Sequence, residues 1–285
     1  MANMRAIRTR IKSIESTRQI TKSMKMVSAA KRRRTQVAVG NLKTFSEKSR
    51  VILSHLTGSA QGANNPFLTA RDEIKRRCYV IFVGNRGLCG VYNSALLHYA
   101  EELIAENGDC ESFVVVVGRW GKDSFAASPL DVRRTFDEVS DTPGAADASS
   151  VTEYLKSLYL TGEADEIVLI YQQFKSVLSQ TPGHMTLLPV PPMAQDGDAH
   201  ASDYIFEPDE ESVLSSLVEL YISNTVYSVL LEAKAGEHSA RMTAMTAATD
   251  NTEELISSLT LELNHARQAA ITTEISEIVG GSAMM

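Results

Sequence analysis

The chain has 285 residues, a net charge of −7 and 44% hydrophobic residues with few aromatics, a composition that fits a folded, helix-rich protein of one ordinary domain plus an extension. No run approaches the roughly 20 apolar residues that span a bilayer. At the basic N-terminus Ile7, Ile11 and Ile14 stand isolated among charges, without a signal-peptide core, so a cytoplasmic protein is expected.

All eight prolines lie between Pro66 and Pro208, which leaves two proline-free arms. Proline in a helix interior costs about 3 kcal/mol, so both arms are free to form long helices. The first predicts a helix from about Met4 to Leu56, with apolar residues at Ile7, Ile11, Ile14, Ile20, Met24 and Val27. Gly58, Gly62 and Asn64-Asn65-Pro66 end it. Residues 1–50 carry fourteen Lys/Arg against two acids, Glu15 and Glu47.

The middle of the chain alternates short apolar runs with helical patterns. Strands are expected at Cys78–Val83, Phe113–Val117, Val132–Phe136, Glu166–Phe174 and Met185–Val190. Helices are expected at Asn93–Glu106 and Val151–Leu160, with a short one at Asp123–Ala127. Continuous apolar strands between helices predict a largely parallel sheet covered on both faces. The C-terminal arm opens at Pro208-Asp209-Glu210, with proline and acids where a helix begins. Apolar or small residues recur near every 3.5 positions from Leu217 through Leu231, Met245, Leu259 and Thr273, the period of a left-handed coiled coil. Residues 208–285 hold twelve acids against three bases, Lys234, Arg241 and Arg267, so the two arms have complementary charge. The expected organisation is a helix over 1–58, a Rossmann-like α/β domain over 75–195, and a helix over 208–285 that pairs with the first.

Gly84-Asn-Arg-Gly87-Leu-Cys-Gly90 follows the first strand, where doubly wound folds cradle phosphates. Its spacing is GxxGxxG rather than GxGxxG, so a tight strand-to-helix turn is the simpler reading. The chain has no GxxxxGK[ST], GxSxG or HExxH. Its six histidines are dispersed, and Cys78, Cys89 and Cys110 have no ligand-like spacing. No catalytic, cofactor or metal constellation is found. The run Lys31-Arg-Arg-Arg34 raises nucleic-acid binding, but one aromatic in the arm and an acidic whole favour a solvated or protein-facing helix surface.

Five blocks carry a resemblance: Arg18-Gln-Ile-Thr-Lys-Ser-Met-Lys-Met-Val27, Asn85-Arg-Gly-Leu-Cys-Gly90, Asp203-Tyr-Ile-Phe-Glu-Pro-Asp209, Arg241-Met-Thr-Ala-Met-Thr-Ala-Ala-Thr-Asp-Asn251, and the run from Asn264 to Gly281. In order and from end to end, they resemble the gamma subunit of F-type ATP synthase. The resemblance implies an antiparallel coiled coil inside a hexamer of three alpha and three beta subunits. It also implies an α/β foot beside the epsilon subunit on the membrane c-ring, at the cytoplasmic face of the cell membrane. Met24 and Arg241 would face the beta lever region, Arg267, Gln268 and Thr272 would meet beta loops higher in the cavity, and Phe206 and Glu207 would approach the ring. The chain would then be a non-catalytic subunit that couples ion flow to ATP synthesis or hydrolysis. It departs from the resemblance at Val91-Tyr92, a change expected to be tolerated as packing. It lacks a cysteine pair after Cys110, so dithiol control of the kind in some photosynthetic relatives is not expected. The alternative is a nucleotide-binding α/β protein with a coiled-coil interaction arm.

Overall fold

The computed structural model describes residues 2–56, 65–121, 125, 130–174, 176, 179–191, 206–207 and 209–282. Helix α1 (Ala2–Leu56) leads into strand β1 (Arg76–Phe82), helix α2 (Tyr92–Glu106), strands β2 (Glu111–Val117) and β3 (Val132–Phe136), and helix α3 (Ala145–Leu160). Strands β4 (Glu166–Phe174) and β5 (Gln180–Leu188) follow, then helix α4 (Glu210–Ser282). The chain divides into two compact units, one of Met1–Ser28 with Arg241–Met285 and one of Ala29–Ala240. The short helix expected at Asp123–Ala127 lies mostly outside the described residues.

The second unit is built on one five-stranded sheet in the order β3-β2-β1-β4-β5. The first four strands are parallel and β5 runs antiparallel to β4. Side chains alternate across a strand, and both faces of β1 are buried. Cys78, Val80 and Phe82 point into a core with Val151 and Leu155 of α3 and Leu214, Val218, Ile222 and Val226 of α4. Tyr79 and Ile81 point the other way, against Leu96, Ala100 and Leu103 of α2. The result is the expected α/β sandwich, with a mostly parallel sheet and helices on both faces.

Several elements begin earlier than their apolar patterns, β5, α3 and β1 among them. β5 starts at Gln180 rather than Met185, because Pro182 and Gly183 are strand residues here, paired with Gln172 and Tyr171. An edge strand tolerates proline, since one side of its backbone has no ladder to complete. α3 starts at Ala145 rather than Val151. Its first turns are small and polar, and Asp147 holds them by accepting the Gly144 N–H at 2.8 Å and the Ser140 N–H at 3.3 Å. β1 gains Arg76 and Arg77, and the Arg77 guanidinium bonds Glu166 across the β1–β4 pair.

Helix α4 includes a stretch long and apolar enough, by length and composition alone, to cross a membrane. Its Leu214, Val218, Ile222, Val226, Val229 and Leu230 are buried in the core beneath the sheet. That burial accounts for the hydropathy. In this unit α1 runs antiparallel to α4. Gln36 and Val39 share a cavity wall with Glu232 and Ala235, while Arg50 acts electrostatically on Tyr221.

The first unit has a thin seam. Among its described residues, Ile7, Thr21, Ser28, Met245, Thr249, Thr252 and Leu259 are buried, together with Arg241. The Thr21 and Thr249 hydroxyls lie 2.9 Å apart, so residue 21 faces residue 249. Thr21, Thr249 and Thr252 also reach carbonyls of their own helices at 2.7–3.0 Å, which satisfies each hydroxyl at the interface.

Asp165, just before β4, is a tie point in the second unit. It accepts the N–H groups of Lys75 at 2.9 Å and Arg76 at 2.8 Å, and Arg71 Nη1 at 2.5 Å. Burial pushes its carboxyl up, but these donors outweigh burial and hold its pKa below the ordinary carboxylate value. A depressed acid adds stability above its unfolded pKa, near 3.9, and loses it as pH falls through the folded value. Asp165→Asn is expected to cost about 1–3 kcal/mol at neutral pH. Below about pH 4 the gap to wild type should close, as measured by urea unfolding across pH.

Candidate functional site

In a doubly wound sheet, ligands bind beyond the carboxyl ends of the strands, where the strand order reverses. Here that point lies between β1 and β4, at the Gly84–Gly90 turn. The chain's own helix α4 fills it. Asn85 N–H donates to Glu237 Oε1 at 3.2 Å, so a carboxylate sits on the turn where a phosphate would otherwise be held. Gly84 N–H is taken by Asn93 Oδ1 at 2.9 Å. Tyr92 Oη donates to the Ala233 carbonyl at 2.7 Å, and Gln172 Nε2 to the Tyr92 carbonyl at 3.2 Å. The turn therefore docks a helix. Leu88 within it adopts a left-handed conformation at φ 59° and presents an exposed side chain, next to exposed Val91.

Gly236 makes this docking possible. A Cβ there would lie 3.2 Å from the Tyr92 ring and 3.8 Å from Gln172, tighter than ordinary packing at the ring. On either side of Gly236, Lys234 Nζ and Glu237 Oε2 form an ion pair at 3.0 Å with side chains 2% and 1% exposed. A buried pair of this kind contributes little net stability, but removing one partner leaves an uncompensated charge.

The polar joint continues outward from the turn. Asn85 Nδ2 donates to the Val139 carbonyl at 2.7 Å and to Asp141 Oδ1 at 3.1 Å. Lys31 Nζ of α1 donates to Asp141 Oδ2 at 2.5 Å, Arg86 lies 3.8 Å away, and His238 Nε2 sits 2.9 Å from the Asp141 carbonyl. Burial pushes the Asp141 carboxyl up, yet hydrogen bonds from Lys31 and Asn85 and the charges of Lys31 and Arg86 outweigh it. They hold its pKa well below the carboxylate range, so Asp141 stays ionised.

The residues singled out in the sequence are distributed over separate surfaces. In the first unit Met24 is half-buried and Arg241 is 6% exposed, while Arg267, Gln268 and Thr272 are exposed on α4. Gln268 and Thr272 lie one turn apart and share a face. In the second unit Phe206 packs against the core and Glu207 is exposed. Asp209 caps α4, accepting the Ser212 N–H at 2.9 Å. Lys31, Asp141 and Glu237 went unremarked in the sequence as a group, since their partners lie 110 and 152 positions away. The one local signal is the Lys234-x-x-Glu237 pair around the small residues Ala235 and Gly236.

Gly236→Val would place branched methyls against Tyr92. Overpacking should cost about 1–3 kcal/mol, more than the few tenths gained by removing a helical glycine. Chemical denaturation of the full chain measures it.

The family model described as ATP synthase matches residues 3–285. The ATP synthase gamma chain of Desulforamulus reducens is 42% identical over the whole of both chains. That of Pelotomaculum thermopropionicum is 41% identical, again over both full lengths. Among solved structures, a chain of the rotor of the Euglena gracilis mitochondrial ATP synthase superposes with a TM-score of 0.67 at 19% identity. The match covers 95% of this chain and 99% of that one. A chain of the central stalk and c-ring structure from Tetrahymena thermophila superposes with a TM-score of 0.56 at 26% identity, covering 80% of this chain and 99% of that one. Five sequence blocks, a mostly parallel sheet with long terminal helices, and full-length relatives agree: the chain belongs to the family of ATP synthase gamma chains.

Proposed function

We propose that this chain is the central rotor shaft of an F-type ATP synthase. It would couple ion flow through the membrane sector to ATP synthesis or hydrolysis at the beta subunits by turning inside a hexamer of three alpha and three beta subunits. The observation that carries this reading is the exposed apolar face near the end of α4. With residue 21 opposite residue 249, the first residue of α1, Ala2, falls opposite about residue 268, counting equal rise along two antiparallel helices. The helix continues to Ser282. Beyond the register of α1 it carries exposed Ile271, Ile275, Ile278 and Val279, with Ile278 72% exposed. Large apolar side chains on a bare helix mark a surface that another protein covers, and a sleeve of subunits around the shaft would cover it.

The division of labour follows from this reading. Residues 1–58 with 208–285 form the shaft, and residues 75–195 form the foot, beside an epsilon subunit and on the c-ring. The chain itself is non-catalytic, and the protein sits peripherally at the cytoplasmic face of the cell membrane. Met24 and Arg241 border the beta lever region, with Arg241 buried beneath the surface it supports. Arg267, Gln268 and Thr272 meet beta loops nearer the tip, and Phe206 and Glu207 approach the ring. The basic face of α1 tracks acidic beta loops through exposed contacts of about 0–1 kcal/mol each, weak enough to guide a turning shaft without locking it.

Co-expression with alpha and beta subunits from the same genome, followed by native mass spectrometry, tests the assignment. The expected product is a complex of three alpha, three beta and one copy of this chain, active with MgATP. A chain that stays apart from an assembled hexamer contradicts it. Arg267→Ala with Gln268→Ala should leave assembly intact and reduce coupled turnover by about three- to tenfold, the scale of one or two net hydrogen bonds. Wild-type rates would count against those contacts.

A further inference from the structure

We propose that Asp141 is a positioning residue for coupling, which ties helix α1, through Lys31, to the sheet-side turns and to α4 so that the two helices are driven together. The inference rests on the shaft reading above. Under that reading, load that enters at the sheet must reach both helices. α4 is held broadly, by the core beneath the sheet and by its docking at the Gly84–Gly90 turn. α1 has an apolar anchor at Leu53, fully buried in the same core. From Leu53 to Lys31 is about 33 Å along the helix at 1.5 Å per residue.

Between these two points Thr35 and Ser49 of α1 are buried, but a cavity interrupts the packing. Gln36 and Val39 of α1 line a cavity of about 350 Å³ with Phe174 at the end of β4 and Ser228, Glu232 and Ala235 of α4. Side chains that face this opening lack packing partners on that side, so α1 is held less firmly here than at Leu53. The Lys31 tie adds a polar hold on the other side of the opening. Asp141 is well suited to it. Its two carboxylate oxygens take Lys31 and Asn85, and its carbonyl meets His238, so one residue joins α1, the Gly84–Gly90 turn and α4. A lone surface ion pair would contribute little. This pair is about three-quarters buried and shares its carboxylate with a neutral donor, the arrangement in which charge-assisted bonds are strongest.

The test uses the whole ATP synthase carrying this chain, reconstituted in lipid vesicles. ATP hydrolysis, ATP-driven proton or sodium uptake, and amide hydrogen exchange at residues 139–141 are measured together. In Lys31→Met and in Asp141→Asn, ions moved per ATP hydrolysed should fall by about twofold or more, with subunit content unchanged. Exchange at the turn should rise about five- to thirtyfold, the shift that accompanies loss of one or two kcal/mol. Lys31→Arg should couple like wild type. The double variant should be no worse than the poorer single one, because both changes remove the same interaction. Lys31→Met leaves the Asn85 and His238 bonds in place, so it carries the test even where Asp141→Asn fails to assemble. Wild-type coupling in Lys31→Met, or additive losses in the double variant, would overturn the tie while leaving the shaft reading intact. A wild-type chain that does not join the hexamer would overturn the shaft reading and the tie with it.

Discussion

Helix α4 occupies the crevice at the carboxyl ends of β1 and β4, and the α/β unit depends on that occupation. Its Leu214, Val218, Ile222 and Val226 complete the core below the sheet, each buried aliphatic side chain contributing about 1.5–3 kcal/mol. Its Glu237 accepts the Asn85 N–H of the Gly84–Gly90 turn, and Gly236 lets the helix backbone approach Tyr92. A doubly wound sheet normally leaves this crevice open to a ligand. Here the same geometry serves as a mechanical mount, and the site that would have held a nucleotide holds a helix.

The two parts of α4 are built to opposite rules. Between Leu214 and Ser239 nearly every turn buries a large or a paired residue, down to the Lys234–Glu237 ion pair. From Arg241 onward only a thin seam is buried, rich in threonine hydroxyls bonded to their own helix. The remaining surface is exposed and carries Leu261, Ile271, Ile275 and Ile278 to solvent. Such a surface is costly for an isolated chain and reasonable for one that works surrounded by other subunits. The absence of proline in both arms fits the same demand, because a shaft that transmits force cannot kink.

Much of this was legible in the residues. Proline placement, apolar periodicity and the glycines that end apolar runs located both long helices and every strand of the sheet, and the GxxGxxG spacing pointed away from nucleotide. What stayed hidden has physical causes. The start of β5 at Gln180 was masked by Pro182 and Gly183, which an edge strand accepts. The start of α3 was masked because small and polar residues fill the turns before Val151. The polar joint was invisible because Lys31, Asn85, Asp141 and Glu237 come from four separate elements, and a charge that pairs across 110 positions looks in sequence like any solvated charge. Lys31 read as one member of a basic run, although its partner is internal.

A rotor shaft must turn inside its hexamer. A bead fixed to the α/β unit of the chain, within a hexamer held on a surface, reports that motion directly under MgATP. Sustained rotation in one direction that stops when ATP is removed is the expected result. A hexamer that hydrolyses ATP beneath a bead that only fluctuates about one angle would contradict it.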